Sequence, residues 1–132
     1  MTTFVDTSAL LAVLDADDAH HSRARRTWHA LVTGEDLLLT TSYVLVETFA
    51  LVQARLGVPA AQLLNDDVVP ILRVTWVDEG LHRAAMTALL TARRRDFSLV
   101  DCVSFETMRR AGAARAFAFE RHFRQQGFDL VP

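Results

Sequence analysis

Short apolar runs with the composition of strands alternate with helical segments along the whole chain, and that alternation limits the fold more than any other feature. Residues 3–5, 37–40, 72–77, 116–119 and 129–131 read as strands. Residues 8–14, 19–33, 43–55, 60–68, 79–93 and 99–111 read as helices, with a short turn at 120–126. Gly34, Gly57, Gly112 and Gly127 punctuate the ends, and Pro59 suits the opening of the fourth helix. Strands separated by helices cannot pair as hairpins. They predict a parallel sheet covered by helices, in one domain spanning residues 1–132. With 51% of 132 residues hydrophobic, such a domain can bury a real core.

The composition excludes several functions. The longest uncharged apolar stretch, residues 37–46, is half of what a membrane helix requires, and the opening Met-Thr-Thr-Phe-Val-Asp has no basic leader. The expectation is a soluble protein that is neither exported nor held in a membrane. Cys102 is the single cysteine, so there is no internal disulfide and no thiolate zinc cluster, which fits a reducing cytoplasm. All 14 basic residues are arginine. Without lysine, a phosphate-gripping P-loop, a Schiff-base enzyme and a receiver-type phosphoacceptor are all excluded.

Four carboxylates carry the chemistry. Asp6 follows the first strand, and Glu47 is the only charge between Tyr43 and Val52. Asp101 opens an apolar helix, and Glu120 ends the strand at 116–119. Open parallel sheets bind ligands beyond the carboxyl ends of their strands, and all four residues map to that edge. Ser42 and Ser98 are the expected caps of the helices carrying Glu47 and Asp101, placing both carboxylates in first turns. At about 5 Å and an effective dielectric of about 20, each pair of carboxylates would repel by roughly 3 kcal/mol. Several such pairs approach a domain's whole stability of about 5–15 kcal/mol. Either a cation sits among them, or some are protonated, or they do not converge. A cation held by carboxylate oxygens is hard, so magnesium is expected, with manganese as the alternative. Metal-assisted phosphodiester hydrolysis follows, with late arginines such as Arg94, Arg95 and Arg121 available to meet the phosphates of a polyanion.

Plainer roles compete for the same residues. Asp6 has the position of a helix cap, and Ser98 to Asp101 has the spacing of a capping box. Glu47 could be buried with Arg55 or Arg94. Asp15, Asp17, Asp18, His20 and His21 read as a solvated helix start, because the histidines lack the one-turn spacing of a shared metal site. His122 reads as a packed or exposed histidine, Asp96 as a loop or cap residue close to the site. Trp28, Trp76, Phe49, Phe105 and Phe123 read as core or interface.

Four ordered segments resemble the motifs of PIN-domain ribonucleases, especially the VapC-type toxins of bacterial toxin-antitoxin pairs. They are Phe4-Val5-Asp6-Thr7-Ser8-Ala9-Leu10-Leu11, Thr41-Ser42-Tyr43-Val44-Leu45-Val46-Glu47, Phe97-Ser98-Leu99-Val100-Asp101-Cys102-Val103-Ser104-Phe105 and Ala116-Phe117-Ala118-Phe119-Glu120-Arg121-His122-Phe123. The resemblance implies a three-layer α/β/α sandwich around about five parallel strands. It also implies an endoribonuclease in which Asp6, Glu47, Asp101 and Glu120 are catalytic and bind metal, with Thr7, Ser8 or Ser98 orienting water or carboxylates. A homodimer and a VapB-type antitoxin covering the site are the implied partners. One position departs from the pattern: Glu120 stands where most such toxins have aspartate, moving the carboxylate outward by about 1.5 Å at most. The alternative reading is a catalytically weak PIN-like module that binds RNA or protein.

Overall fold

The computed structural model describes all 132 residues. Five parallel strands form one sheet in the order β3-β2-β1-β4-β5: β1 Thr2–Val5, β2 Leu37–Thr41, β3 Arg73–Thr75, β4 Arg115–Phe117 and β5 Asp129–Val131. Seven helices connect them: α1 Thr7–Leu14, α2 His21–Thr33, α3 Ser42–Leu56, α4 Val58–Leu63, α5 Glu79–Ala92, α6 Leu99–Ala111 and α7 His122–Gln125. The architecture is the expected α/β/α sandwich. Register is fixed at the centre, where Phe4 of β1 lies opposite Leu39 of β2 and Ala116 of β4.

Burial explains why β1 and β2 are so apolar: both lie inside the sheet, and Phe4, Val5, Leu38 and Leu39 are buried. Even the threonines here are satisfied internally, with Thr40 Oγ1 donating to the Val5 carbonyl at 2.8 Å. Phe4, Phe117 and Phe123 are fully buried, and each contributes on the order of 1.5–3 kcal/mol of hydrophobic stabilisation. Phe105 and Phe123 meet edge to face at 5.3 Å, joining α6 to α7. Of the residues read as core or interface, Trp76 is outside the core: it is 75% exposed just beyond β3, at the sheet edge.

Several boundaries differ from expectation because a side chain captures a backbone amide. β3 was expected at 72–77 but stops at Thr75, since Val77 N–H donates to Ser42 Oγ at 2.9 Å. β4 was expected at 116–119 but stops at Phe117, and Phe119 N–H donates to Ser8 Oγ at 3.0 Å. Glu120 therefore lies in the loop after the strand. The helix expected at 60–68 begins earlier, at Val58, and beyond Leu63 widens into a π turn at Leu64–Val68 and a 3-10 turn at Val69–Ile71. Pro70, with no amide hydrogen, cannot continue the α-helical ladder there. Thr41, not Ser42, caps α3, its hydroxyl accepting from Val44 N–H at 3.1 Å. Glu47 consequently sits in the second turn of α3, beyond the reach of the capping amides.

Candidate active site

Strand order reverses at β1. The chain steps outward from β1 to β2 and β3, then returns to place β4 and β5 on the other side. Connections from neighbouring strand ends diverge at such a point and leave a crevice. Here the crevice is an open cavity of about 540 Å³, and its lining includes Asp6, Glu47, Asp101 and Glu120. The four carboxylates picked out in the sequence thus share one site.

Asp6 is held at the seam of the sheet, its N–H donating to the Phe117 carbonyl at 3.1 Å. Its side chain caps α1: Oδ2 accepts from Ser8 N–H at 3.1 Å and from Ser8 Oγ at 2.6 Å. Since Ser8 Oγ also receives Phe119 N–H, this serine couples the carboxylate to the loop carrying Glu120. Both bonds use one carboxylate oxygen, so the cap leaves Oδ1 unengaged. Asp6 is 4% exposed, and burial pushes its pKa from 3.8 up to about 6. The Ser8 hydrogen bonds pull the other way, while the charges of Asp101 and Glu47 add to the rise.

Asp101 is the third residue of α6 and closes a capping box with Ser98. Asp101 N–H donates to Ser98 Oγ at 3.0 Å, and Ser98 N–H donates to Asp101 Oδ2 at 3.1 Å. Ser98 is therefore a positioning residue for Asp101. Glu47 projects from α3 half-buried, with no ion pair to Arg55 or Arg94. Thr7 also lines the cavity; its hydroxyl donates to the Val44 carbonyl at 3.4 Å and accepts from Thr48 Oγ1 at 3.0 Å, linking α1 to α3. Glu120 is exposed at the cavity rim.

Sequence reasoning missed part of the lining. Asp18, His20 and Arg55 also face the cavity. Asp18 accepts from His20 N–H at 2.8 Å in the turn before α2, which itself has no side-chain cap, and the loop between α1 and α2 folds over the end of β4, which no local pattern signals. His122 is packed edge-on against Phe97 at 5.2 Å, between two carboxylates. Its Nδ1 is 3.3 Å from Asp101 Oδ2 and its Nε2 3.6 Å from Asp96 Oδ2, but Nδ1 is buried without an aligned hydrogen bond. Arg94, Arg95 and Arg121 do not line the cavity. Arg94 donates to Asp96 through Nε and Nη2, reaches Gln125 at 3.1 Å and stacks 4.1 Å from the Phe97 ring.

The cavity is strongly acidic. Asp6, Asp18, Glu47, Asp96, Asp101 and Glu120 line the cavity, against the single guanidinium of Arg55. No three of these acids or the histidines stand close enough to ligate one ion together. An oxygen-only set at that spacing fits a hard ion that retains part of its water shell and touches one or two carboxylates directly.

Comparison with known proteins fits this geometry. The PIN domain family matches residues 3–129. This chain belongs to the PIN-domain family. Among PIN-domain proteins of the VapC type, it is 36% identical over 129 residues to the 23S rRNA-specific endonuclease VapC20 of Mycobacterium tuberculosis, in strains CDC 1551 and H37Rv. That alignment covers 95% of this chain and 94% of the relative. The crystal structure of Mycobacterium tuberculosis VapC20, described as a sarcin-ricin loop cleaving toxin, superposes with a TM-score of 0.88 at 34% identity over the whole of both chains. FitAcB from Neisseria gonorrhoeae shares the fold with a TM-score of 0.70 at 13% identity, over all of this chain and 97% of that one. Along the PIN domain found here, no helix is long and apolar enough to cross a membrane.

Proposed function

We propose that this protein is a metal-dependent endoribonuclease, the toxin of a VapBC-type toxin-antitoxin pair, cutting 23S ribosomal RNA at the sarcin-ricin loop. The observation carrying this reading is Asp6, buried with no cationic partner and facing Glu47 and Asp101 across one cavity at the sheet's switch point. The RNA target is taken from the VapC20 relatives, whose identity spans nearly the full length.

In this reading Asp6, Glu47 and Asp101 hold magnesium, or manganese, directly or through water. Glu120 supplies a fourth carboxylate from the rim. When bound, the ion lowers the pKa of a water and neutralises charge on the phosphate under attack. The chain's own residues set the geometry. Ser8 orients Asp6, and Ser98 orients Asp101. Arg55, inside the cavity, and the exposed Arg95 and Arg121 meet the phosphate backbone that the acids would otherwise repel. Arg94 is already committed to Asp96 and acts by fixing the loop before α6. A VapB-type antitoxin covers the site, and two copies of the chain pair. Val46, Trp76 and Leu90, which are 70%, 75% and 68% exposed, offer apolar surface for such contacts.

The test is incubation of the purified protein and its Glu47→Ala variant with 23S ribosomal RNA in magnesium, manganese or chelator, followed by mapping of cut ends. Discrete cuts that need metal and vanish in the variant are expected. A folded, antitoxin-free protein that binds metal and RNA without cutting would instead be a binding module, a reading favoured by the exposed rim position of Glu120.

A further inference from the structure

A column of aromatic rings runs from the core to the cavity rim. Trp28 of α2 stacks on the buried Phe117 of β4 at 6.5 Å, and Phe117 meets Phe119 edge to face at 6.2 Å. Phe119 then carries the His20 ring at 4.5 Å with an interplanar angle of only 7°. Both Phe119 and His20 line the acidic cavity, and His20 is exposed. The platform is braced from below: His20 N–H is tied to Asp18 Oδ1, and His21 Nδ1 lies 2.7 Å from the Ala12 carbonyl, pinning the start of α2 to α1. Arg23 adds a cation 6.0 Å from the Phe119 ring.

An exposed flat ring, held parallel to another at the mouth of a carboxylate-lined cavity, has a specific use. The cavity itself repels phosphate, so grip on a polyanion must come partly from groups that do not depend on charge. Stacking of an unpaired base on an aromatic face is such a grip, and a base inside a duplex cannot use it, because its faces are covered. We propose that His20, backed by Phe119, is a stacking platform for one unpaired base next to the scissile phosphate, making it a specificity-determining residue. This inference rests on the ribonuclease reading and adds to it a preference for RNA whose base is already splayed out.

Kinetics of wild type, His20→Ala and His20→Phe on a sarcin-ricin loop RNA hairpin in magnesium test it, with thermal melting of each protein as the folding control. His20→Ala should raise KM by roughly 5- to 150-fold, the equivalent of about 1–3 kcal/mol of base stacking, with kcat little changed. His20→Phe should restore KM. An abasic nucleotide at one position beside the cut should hurt wild type and leave His20→Ala no worse. If wild type cuts and KM is the same in all three proteins, the platform is wrong while the nuclease stands. If wild type does not cut, the nuclease reading fails by itself, and a single-stranded RNA carrying 2-aminopurine still decides the platform. Fluorescence quenched by wild type but not by His20→Ala supports it, and equal fluorescence with both overturns it.

Discussion

The two ends of the sheet treat aspartate in opposite ways. At the amino ends of the strands, Asp36 receives Thr3 Oγ1 at 2.7 Å and Arg115 Nη2 at 2.6 Å, while Arg115 Nε reaches Thr3 at 2.9 Å. Those hydrogen bonds, Thr3's first, hold the Asp36 carboxyl below its ordinary value. At the carboxyl ends, Asp6 is more deeply buried and has only the two Ser8 donors, and its pKa rises to about 6. One carboxylate is satisfied within the fold and the other is not. Beyond the cap it provides for α1, the fold does not use the second arrangement, and the proposed function accounts for it: Asp6 and its neighbours would be kept for a cation and a substrate from outside the chain.

The sharpest contrast is in catalysis. Glu47→Ala should lower the rate of RNA cleavage by more than about 100-fold, since even partners that only orient a ligand are commonly worth 10- to 100-fold. Arg115→Ala should leave the rate unchanged. A rate loss in both would erase the distinction between the two ends.

The second contrast is in stability without metal. Because the folded pKa of Asp6 lies above its ordinary 3.8, no charge is buried below about pH 4, and stability is lost as pH rises from there through about 6. Asp6→Asn cannot titrate. It should be more stable than wild type at pH 7.5 in chelator by about 1–3 kcal/mol, and nearly equal at pH 4, as read by urea unfolding. Asp36 behaves with the opposite sign: its lowered pKa contributes stability above the ordinary carboxylate range that is lost as pH falls. Its ion pair is partly exposed, with side chains 33% and 19% accessible, so Arg115→Ala should cost only about 1 kcal/mol and less in high salt.

The smallest effect belongs to the rim. Glu120→Asp should change cleavage by less than about threefold, because the exposed loop can absorb one methylene. A large gain would mean that Glu120 weakens an otherwise competent site.

Much of this was legible from residues alone, for reasons that differ by element. The apolar runs of β1 and β2 and the capping box of α6 are local signals, and the structure follows them closely. The four carboxylates were readable as a set because a lone charge in an apolar run is costly. Less legible were features set by contacts distant in sequence. β4 ends early because Ser8, 111 residues away, takes the Phe119 amide, and β3 ends early because of Ser42. Asp18 and His20 looked like an ordinary solvated helix start and do form one, but only the folded chain shows their loop closing over the cavity. The pairing of Arg94 with Asp96, two residues on, has no signature in the sequence.

The most direct test of the comparison is thermal melting at pH 7.5 with increasing manganese. A cation that binds only the folded state raises the melting temperature. The account predicts a rise for wild type and Asp36→Asn, and none for a protein carrying both Asp6→Asn and Asp101→Asn. Equal rises in all three, or no rise in wild type, would contradict the claim that the carboxylates at the switch point are kept for a metal ion.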